Sequence, residues 1–482
     1  MSRLPFLKFN TRVREKQISS FGGYNRQLVI GENEFTDMRN MSSCDFPAIS
    51  VRPPRGPVIK TLEKPNGLIW KNGLAYVDGT EFYYKDKLIG TVEDSEKQLI
   101  GMGAYILIWP DKKYFNTSDE TFGDLEKVFE QTATATIAPV SEGATFVKIT
   151  SDGIDFKQWD GVTIEGCSNE DLNKTTVVQS VEENAIVVAG VIEKEFTQAS
   201  GLKISIKVPD MDFVTESNNR LWGCSSANHE IYASKLGDLF NWNCYEGIST
   251  DSYALTVGSD GDFTGIVSHL GYVLFFKENT IHKMYGNKPS NFQLNSYELH
   301  GVAAGCQRSI CIVNETLFYK GRNGVCTYDG SMPYSVSEQF GNVVYTEAVA
   351  GQYDSKYYVS LQDSDGVWGL YVYDPAAGAW YREDSTHMCY TAYGEGDLYY
   401  IDGDNNLMTI RGATDEKIEW FLESGDLVES SLEHKHIIKL LLNMQLGRGG
   451  LRLIYMSPMI QTLYGGARRR YRPHSAGRMQ FH

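Results

Sequence analysis

From residue 67 the chain alternates short apolar runs with turn-forming triplets. In "GLIWKNGLAYVDGTEFYYKDKLIGTV" strands of about five residues lie between "KNG", "DGT" and "KDK". The pattern returns, in other letters, in "IGMGAYILIWPDKKYFN", "RLWGCSSANHEIYASKLGDLFNW", "GIVSHLGYVLFFKENTIHKMYG", "SICIVNETLFYKGRNGVCTYDG", "YYVSLQDSDGVWGLYVYDPAAGAWYRE" and "MCYTAYGEGDLYYIDGDNNLMTIRG". Each unit takes about 40 residues, the period of propeller blades. The pattern therefore predicts an all-β chain, with a six- or seven-bladed β-propeller over residues 61–126 and 211–420. Near-continuous apolar runs such as "AYILIW" and "GYVLFF" read as strands buried on both faces. Trp242 and Trp380 read as the ends of outer strands, where an aromatic ring can fill the space between blades. Residues 1–60 read as an extended arm and first-strand region able to complete one blade.

The pattern changes over residues 127–210. In "TATATIAPV", in "ATFVKITSDGIDFKQWDGVTIEGCSNEDLNKTTVVQSVEENAIVVAG" and in "GLKISIKVPD", strands are built from Val, Ile and Thr, and aromatic residues nearly vanish. A shift of this kind inside a repeat array predicts a small β-barrel or sandwich inserted between blades. After residue 420, the alternation in "HIIKLLLNMQL" predicts a C-terminal β extension over 421–447. Residues 448–482 then hold seven arginines and no acid, leaving 38 basic against 61 acidic residues elsewhere, a net −23. An acidic body disfavours general nucleic-acid binding, whereas the tail alone would attract phosphate.

Composition narrows the class further. Glycine (46) outnumbers proline (14), as tight hairpins require, and 29 tyrosines with 22 phenylalanines suit strands. The opening "MSRLPFLKFNTRVREKQ" lacks the apolar core of a signal peptide, and no run reaches the length of a membrane span. The eight cysteines show neither CxxC pairs nor zinc spacing, and read as buried thiols of a protein folded in a reducing cytoplasm.

Candidate chemistry is sparse. "SDGIDFKQW" approaches the Asp-box turn of sialidase-type propellers, but Asp152 directly precedes Gly153, so it reads as a hairpin turn. "DGDNN" sets Asp402, Asp404 and Asn406 at alternate positions, yet Leu407 and Ala413 stand where a calcium loop needs Gly and Glu. "QDSDG" and "GSDGD" likewise read as turns. His434 and His436 fall on one face of a predicted strand without further ligands nearby in the sequence. No nucleophile elbow, phosphate loop or dinucleotide fingerprint follows a strand. The expectation is a protein that is not an enzyme and uses no cofactor and no metal. In "GARRRYRPHSAGR", Arg468, Arg469, Arg470, Tyr471 and Arg472 form a candidate nucleic-acid contact, the tyrosine stacking on a base. Two other readings stand beside it: a solvated, disordered terminus, and a tail replaced by a shift of reading frame.

The unit texts over residues 215–340 combine "R-L-W/Y-G … I-x-x-S … G-D … W", "G-x-x-W/F-x-F-K-x-x-x-I" and "G-C/A-x-S … L-x-F/Y-x-G-x-x-G-V". They are preceded by "FGGYNRQLVIGENEFTDMRNMSSCDFPAISVRPPR" near the start. In these features the chain resembles the β-propeller virion proteins of tailed bacteriophages, in particular the tail-hub or packaged-DNA-stabilisation proteins of short-tailed phages. The resemblance implies a rigid component of the head-to-tail junction or tail, located in the virion after folding in the host's bacterial cytoplasm. It implies partners among portal, adaptor, tail-needle and tail-fibre proteins. It is compatible with a ring-shaped homo-oligomer and with contact to packaged DNA. The insert and the arginine-rich end depart from the family pattern. Two alternatives come from other classes: a glycan-binding or glycan-cleaving receptor-binding propeller, and a generic bacterial propeller scaffold.

Overall fold

The computed structural model describes residues 15–412, 417–425 and 441, together with the backbone of Leu453–Met456 and Arg478–Phe481. Among these residues the chain is all-β, and seven antiparallel four-stranded sheets account for most of it. Sheets one to six are each a run of four consecutive strands, starting at Pro65–Trp70, Gln98–Met102, Phe213–Ser217, Phe263–His269, Cys311–Val313 and Tyr345–Tyr353. Sheet seven starts at Met388–Gly394 and has three consecutive strands. Its fourth is Lys60–Thr61, paired with Asn406–Thr409 at Asn406↔Thr61 and Leu407↔Lys60.

The first strands touch one another in order around a closed circuit. The step from sheet four to sheet five passes through the 3-10 turn Gln307–Ser309, and sheet seven returns to sheet one. This is propeller architecture, and it explains the apolar runs. The second strand of a sheet has a partner on each side and a neighbouring sheet on each face, so Tyr105–Trp109, Tyr272–Lys277, Thr316–Gly321 and Lys356–Asp363 are almost wholly buried.

Aromatic rings fill the wedges between sheets. Trp380, fully buried on the outer strand of sheet six, donates Nε1–H to the Val336 carbonyl at 2.6 Å, next to sheet five. Trp242 differs from its sequence reading. It lies in the long connection between Glu230–Ala233 and Tyr253–Thr256, the latter being the actual outer strand. There it donates to the Leu239 carbonyl at 3.1 Å and joins Met102, Trp109 and Met211 in the core between sheets two and three. The apparent strand ending in "FNW" is broken by Gly237, at φ +74°, and by Asp238, whose carboxylate accepts the backbone N–H of Phe240 and the Nδ2 amide of Asn241.

At the seam between sheets seven and one, Trp70 stacks on Tyr399 with ring centroids 5.2 Å apart. A Cβ at Gly394 would meet the Trp70 ring at 2.0 Å, so only glycine lets the two first strands approach this closely.

Residues 127–206 form an eight-stranded sheet that shares no strand with the seven others. Its spatial order is Lys127–Glu130, Lys203–Ile206, Gly161–Glu165, Thr175–Glu182, Ala185–Ala189, Phe146–Thr150, Ala135–Pro139 and Phe196–Gln198. The Val, Ile and Leu residues of this sheet make a core of their own, in which Ile137, Val147, Ile186 and Val188 are completely buried.

The N-terminal region is more than an extended arm. Gly23–Tyr24 and Glu34–Arg39 pair with each other, and Glu34–Arg39 pairs with Phe421–Ser424. Tyr24, Phe35, Met38 and Met41 are buried in the same core as sheets five and six, because these spaced apolar residues cover the rim of sheet six. The last residues also depart from a structureless tail. The backbone of Arg478–Phe481 pairs with Phe421–Ser424 and with Leu453–Met456, as the alternation in "RMQF" permits. Residues 426–440 and 442–447 of the predicted C-terminal extension lie outside the described residues. The cysteines are unbridged, but they are not uniformly buried: Cys44 is exposed, and Cys311, Cys326 and Cys389 are half-buried.

The Gly394→Ala variant should lose about 1–3 kcal/mol through overpacking of the Trp70 seam. Urea denaturation should show this as a lower midpoint with an unchanged slope.

Candidate functional site

Among the positions marked by sequence, the structure resolves the acidic loops as turns. Asp402 Oδ1 accepts the backbone N–H groups of Asp404 at 2.9 Å and Asn406 at 2.8 Å, and Asp363 Oδ1 accepts those of Asp365 at 3.0 Å and Val367 at 2.9 Å. The carboxylates are thus occupied in shaping their own hairpins. Among the described residues no group of three or more His, Cys, Asp and Glu side chains is gathered in a way that could hold a metal. His434, His436, Arg468, Arg469, Arg470, Tyr471 and Arg472 lie outside the described residues. Among the described residues no helix is long and apolar enough to cross a membrane.

Three features that sequence reading missed come together only in the fold. The first is a buried charge cluster where the N-terminal segment meets sheets six and seven. Arg55 places Nη1 2.7 Å from the Glu383 carboxylate and Nη2 2.8 Å from that of Asp384. Arg52 Nε stands 3.3 Å from Asp384. Arg411 Nη2 donates to the Tyr358 hydroxyl at 2.7 Å and lies 3.5 Å from Glu383, which is completely buried. Burial pushes the Asp384 carboxyl up, but the Arg55 and Arg52 guanidinium groups and the hydrogen bonds from Thr386 together outweigh it and hold the group below its ordinary range. Three guanidinium groups around two carboxylates fasten residues 52–55 to the last two sheets. The signal was present as "SVRPPRGP" and "YRED", separated by more than three hundred residues.

The second feature is the seat of the eight-stranded sheet. The Asn241 Oδ1 accepts the Gly161 N–H at 2.9 Å, and its Nδ2 donates to Asp160 at 3.2 Å. Lys112 Nζ bridges Glu126 at 2.9 Å and Asp210 at 2.7 Å, tying both ends of the segment to sheet two. A Cβ at Gly161 would meet the Asn243 carbonyl at 2.5 Å, so this contact requires glycine. At one end of the same sheet, Val140, Phe146 and Val191 expose 55%, 40% and 65% of their surface. Val140 N–H donates to the Phe146 carbonyl, and Phe146 pairs with Ala189, two residues before Val191, so this end of the sheet is an apolar tip.

The third is a histidine held between two hydroxyls in sheet four. His282 is fully buried, with Nε2 2.9 Å from Ser259 Oγ and Nδ1 2.7 Å from Ser296 Oγ. Burial, reinforced by the nearby Lys277 ammonium, lowers its pKa to about 4. A neutral imidazole has one donor and one acceptor nitrogen, so it can satisfy both hydroxyls and pin the 258–262 loop to the sheet.

No protein-family model matches the chain, and no curated protein matches it. Solved structures similar to it include the computationally designed Ika8 protein, with 10% identity and a TM-score of 0.37 over 74% of this chain and 100% of that one. The structure of U3-55K gives 8% identity and 0.36 over 75% and 100%. BamB from Moraxella catarrhalis gives 10% and 0.34 over 80% and 99%. At these scores the likeness carries no argument, and the architecture stands on the sheet topology itself.

Two outcomes follow from the buried groups. Arg55→Met should cost about 3–5 kcal/mol, because it leaves Glu383 buried without its nearest cation. Replacing Glu383 by Gln in the same chain should recover part of that loss in a double-mutant cycle. For His282 the folded pKa lies below the ordinary value of 6.5, so above pH 6.5 the group contributes no pH dependence. As pH falls from 6.5 towards 4 the unfolded chain takes up a proton that the folded one refuses, and stability declines by up to about 3 kcal/mol. Denaturant melts across this window should show a shallower decline for His282→Gln.

Proposed function

We propose that this chain is a structural component of a tailed-bacteriophage virion, a head-to-tail or tail-hub protein that docks onto portal, adaptor or tail proteins and helps to retain packaged DNA. The observation that carries the reading is the succession of unit motifs over residues 215–340, with the opening segment that precedes the first sheet. Several motif residues are structural pins rather than surface chemistry. Arg220 of "R-L-W" is buried and donates to the Ser234 carbonyl at 2.7 Å, the Asp251 carbonyl at 2.6 Å and the Ser249 carbonyl at 2.9 Å.

In this reading the seven four-stranded sheets are the blades of one propeller, and the 127–206 sheet is a module inserted between the second and third. The role is non-catalytic and needs no cofactor. A closed ring exposes few strand edges, so copies and partners can crowd around it without sheet-to-sheet aggregation. Contact falls to what projects from the ring, foremost the apolar tip at Val140, Phe146 and Val191.

Mass spectrometry of purified particles from a producing bacterium should find the chain as a stoichiometric component; its absence from particles would end the proposal. Joining Glu126 to Asp212 by a short Gly/Ser linker should leave the propeller folded while particles fail to assemble. The milder change of Val140, Phe146 and Val191 to Ser should do the same, with stability altered by no more than about 1.5 kcal/mol, about 0.5 for each exposed position. Particles that assemble and infect normally with either variant would remove the module from the docking role.

A further inference from the structure

Between sheets four and five opens a cleft of about 900 Å³, at the upper end of the range for small-ligand sites. Its walls are the loop 258–262, the hairpin turn at 279–280, the connection 298–300, the hairpin turn at 322–324 and the short outer strand Tyr334–Ser335. These walls are fixed from behind. His282 holds Ser259, Lys277 Nζ donates to the Ser259 carbonyl at 2.7 Å, and the Tyr319 hydroxyl donates to the His300 carbonyl at 2.8 Å. The cleft is therefore formed before any ligand arrives, which reduces the ordering cost of binding.

Its inner surface is built from open hydrogen-bonding groups. Asp260, Asn279, Glu298, Arg322, Asn323 and Tyr334 line it, and among the described residues none of these side chains is engaged in a hydrogen bond. Tyr334 exposes 56% of its surface and presents an aromatic ring at the rim. This chemistry selects a class of ligand by exclusion. The lining is polar and apolar in nearly equal measure, whereas pockets for lipids and hydrophobic cofactors are predominantly apolar. Two carboxylates against one guanidinium disfavour nucleic acid, phosphate and acidic polymers.

What remains is a neutral molecule rich in hydroxyl groups. Its O–H donors would meet the carboxylates of Asp260 and Glu298, and its oxygens would accept from Arg322 and from the amides of Asn279 and Asn323. A sugar ring also has an apolar C–H face that can rest on the exposed ring of Tyr334. We infer that the cleft between sheets four and five is a binding site for a neutral oligosaccharide. The inference goes beyond the assembly role and is independent of it: a virion component with such a cleft would also touch the host's surface glycans.

The test is titration of the full chain with maltotetraose, cellotetraose and chitotetraose, followed by saturation-transfer NMR and calorimetry. A heparin tetrasaccharide serves as polyanion and tetra-alanine as peptide. At least one neutral sugar should bind at millimolar concentration or below, weakened tenfold or more by Tyr334→Ala and by Asn323→Ala. The heparin probe should not bind. Both substitutions alter side chains without hydrogen bonds at the cleft surface, and each variant is compared at an equal melting temperature. Should one variant unfold, the other carries the comparison. No binding of any neutral sugar, binding indifferent to both substitutions, equal binding of heparin, or tetra-alanine binding with the same sensitivity would each overturn the inference. None of these outcomes bears on whether the chain is found in particles.

Discussion

Lys60–Thr61 and the arginines at 52 and 55 hold the last sheet of the ring in place, and the remaining six sheets depend on that attachment. A circuit of sheets buries its second strands on both faces only while every sheet has a neighbour on each side. Sheet seven supplies the neighbour for both sheet six and sheet one, yet it owns only three consecutive strands. The N-terminal segment adds the fourth by main-chain pairing and then fastens itself with Arg55 between Glu383 and Asp384. Buried ion clusters add little net stability compared with apolar packing, but breaking one is costly. Here the cluster serves register: only one placement of residues 52–61 satisfies both the carboxylates and the strand.

The additions to the ring have different physical characters. The eight-stranded sheet carries a complete apolar core and rests on the ring through a few polar contacts, notably those of Asn241. The N-terminal strands have no core of their own and share that of sheets five and six. The first arrangement suits a body that presents a surface to others. The second makes the N-terminal region part of the propeller's own stability, although in sequence it precedes the first unit.

Much of the architecture was readable in the sequence because strand, turn and unit spacing are local signals. Runs such as "GYVLFF" and turns such as "KNG" need no knowledge of the partner strand. The misreadings arose where distant residues decide the outcome. Trp242 follows a strand-like run, but the turn at Gly237 and Asp238 and the pull of the Met102–Trp109–Met211 core place it in a connection. The charge cluster joins positions 52 and 55 to 383, 384 and 411, and no local pattern distinguishes those residues from surface charges. His282 occupied an alternating position in an ordinary strand, and only the fold brings Ser259 to one of its nitrogens and Ser296 to the other. The cleft is likewise assembled from four separate turns and connections and one two-residue strand, each ordinary alone. For the run from Arg468 to Arg472, composition is the whole of the information.

The strand that closes the ring is also among the first parts of it to leave the ribosome. Thr61 bonds to Asn406 across 345 residues of chain, Thr61 Oγ1 donating to Asn406 Oδ1 at 2.8 Å. At elongation of about 5–20 residues per second, Lys60–Thr61 must wait roughly 20–70 s for its partner to be synthesised. During that interval sheets one to six can form in order while the circuit stays open, with one face of sheet one and the latest sheet uncovered. Final closure is therefore an end-to-end event with a large loop-closure cost, set by when translation finishes rather than by how fast any hairpin folds. A nascent chain of this design has every reason to keep its early strand short, because two residues offer little edge for another chain to capture while they wait.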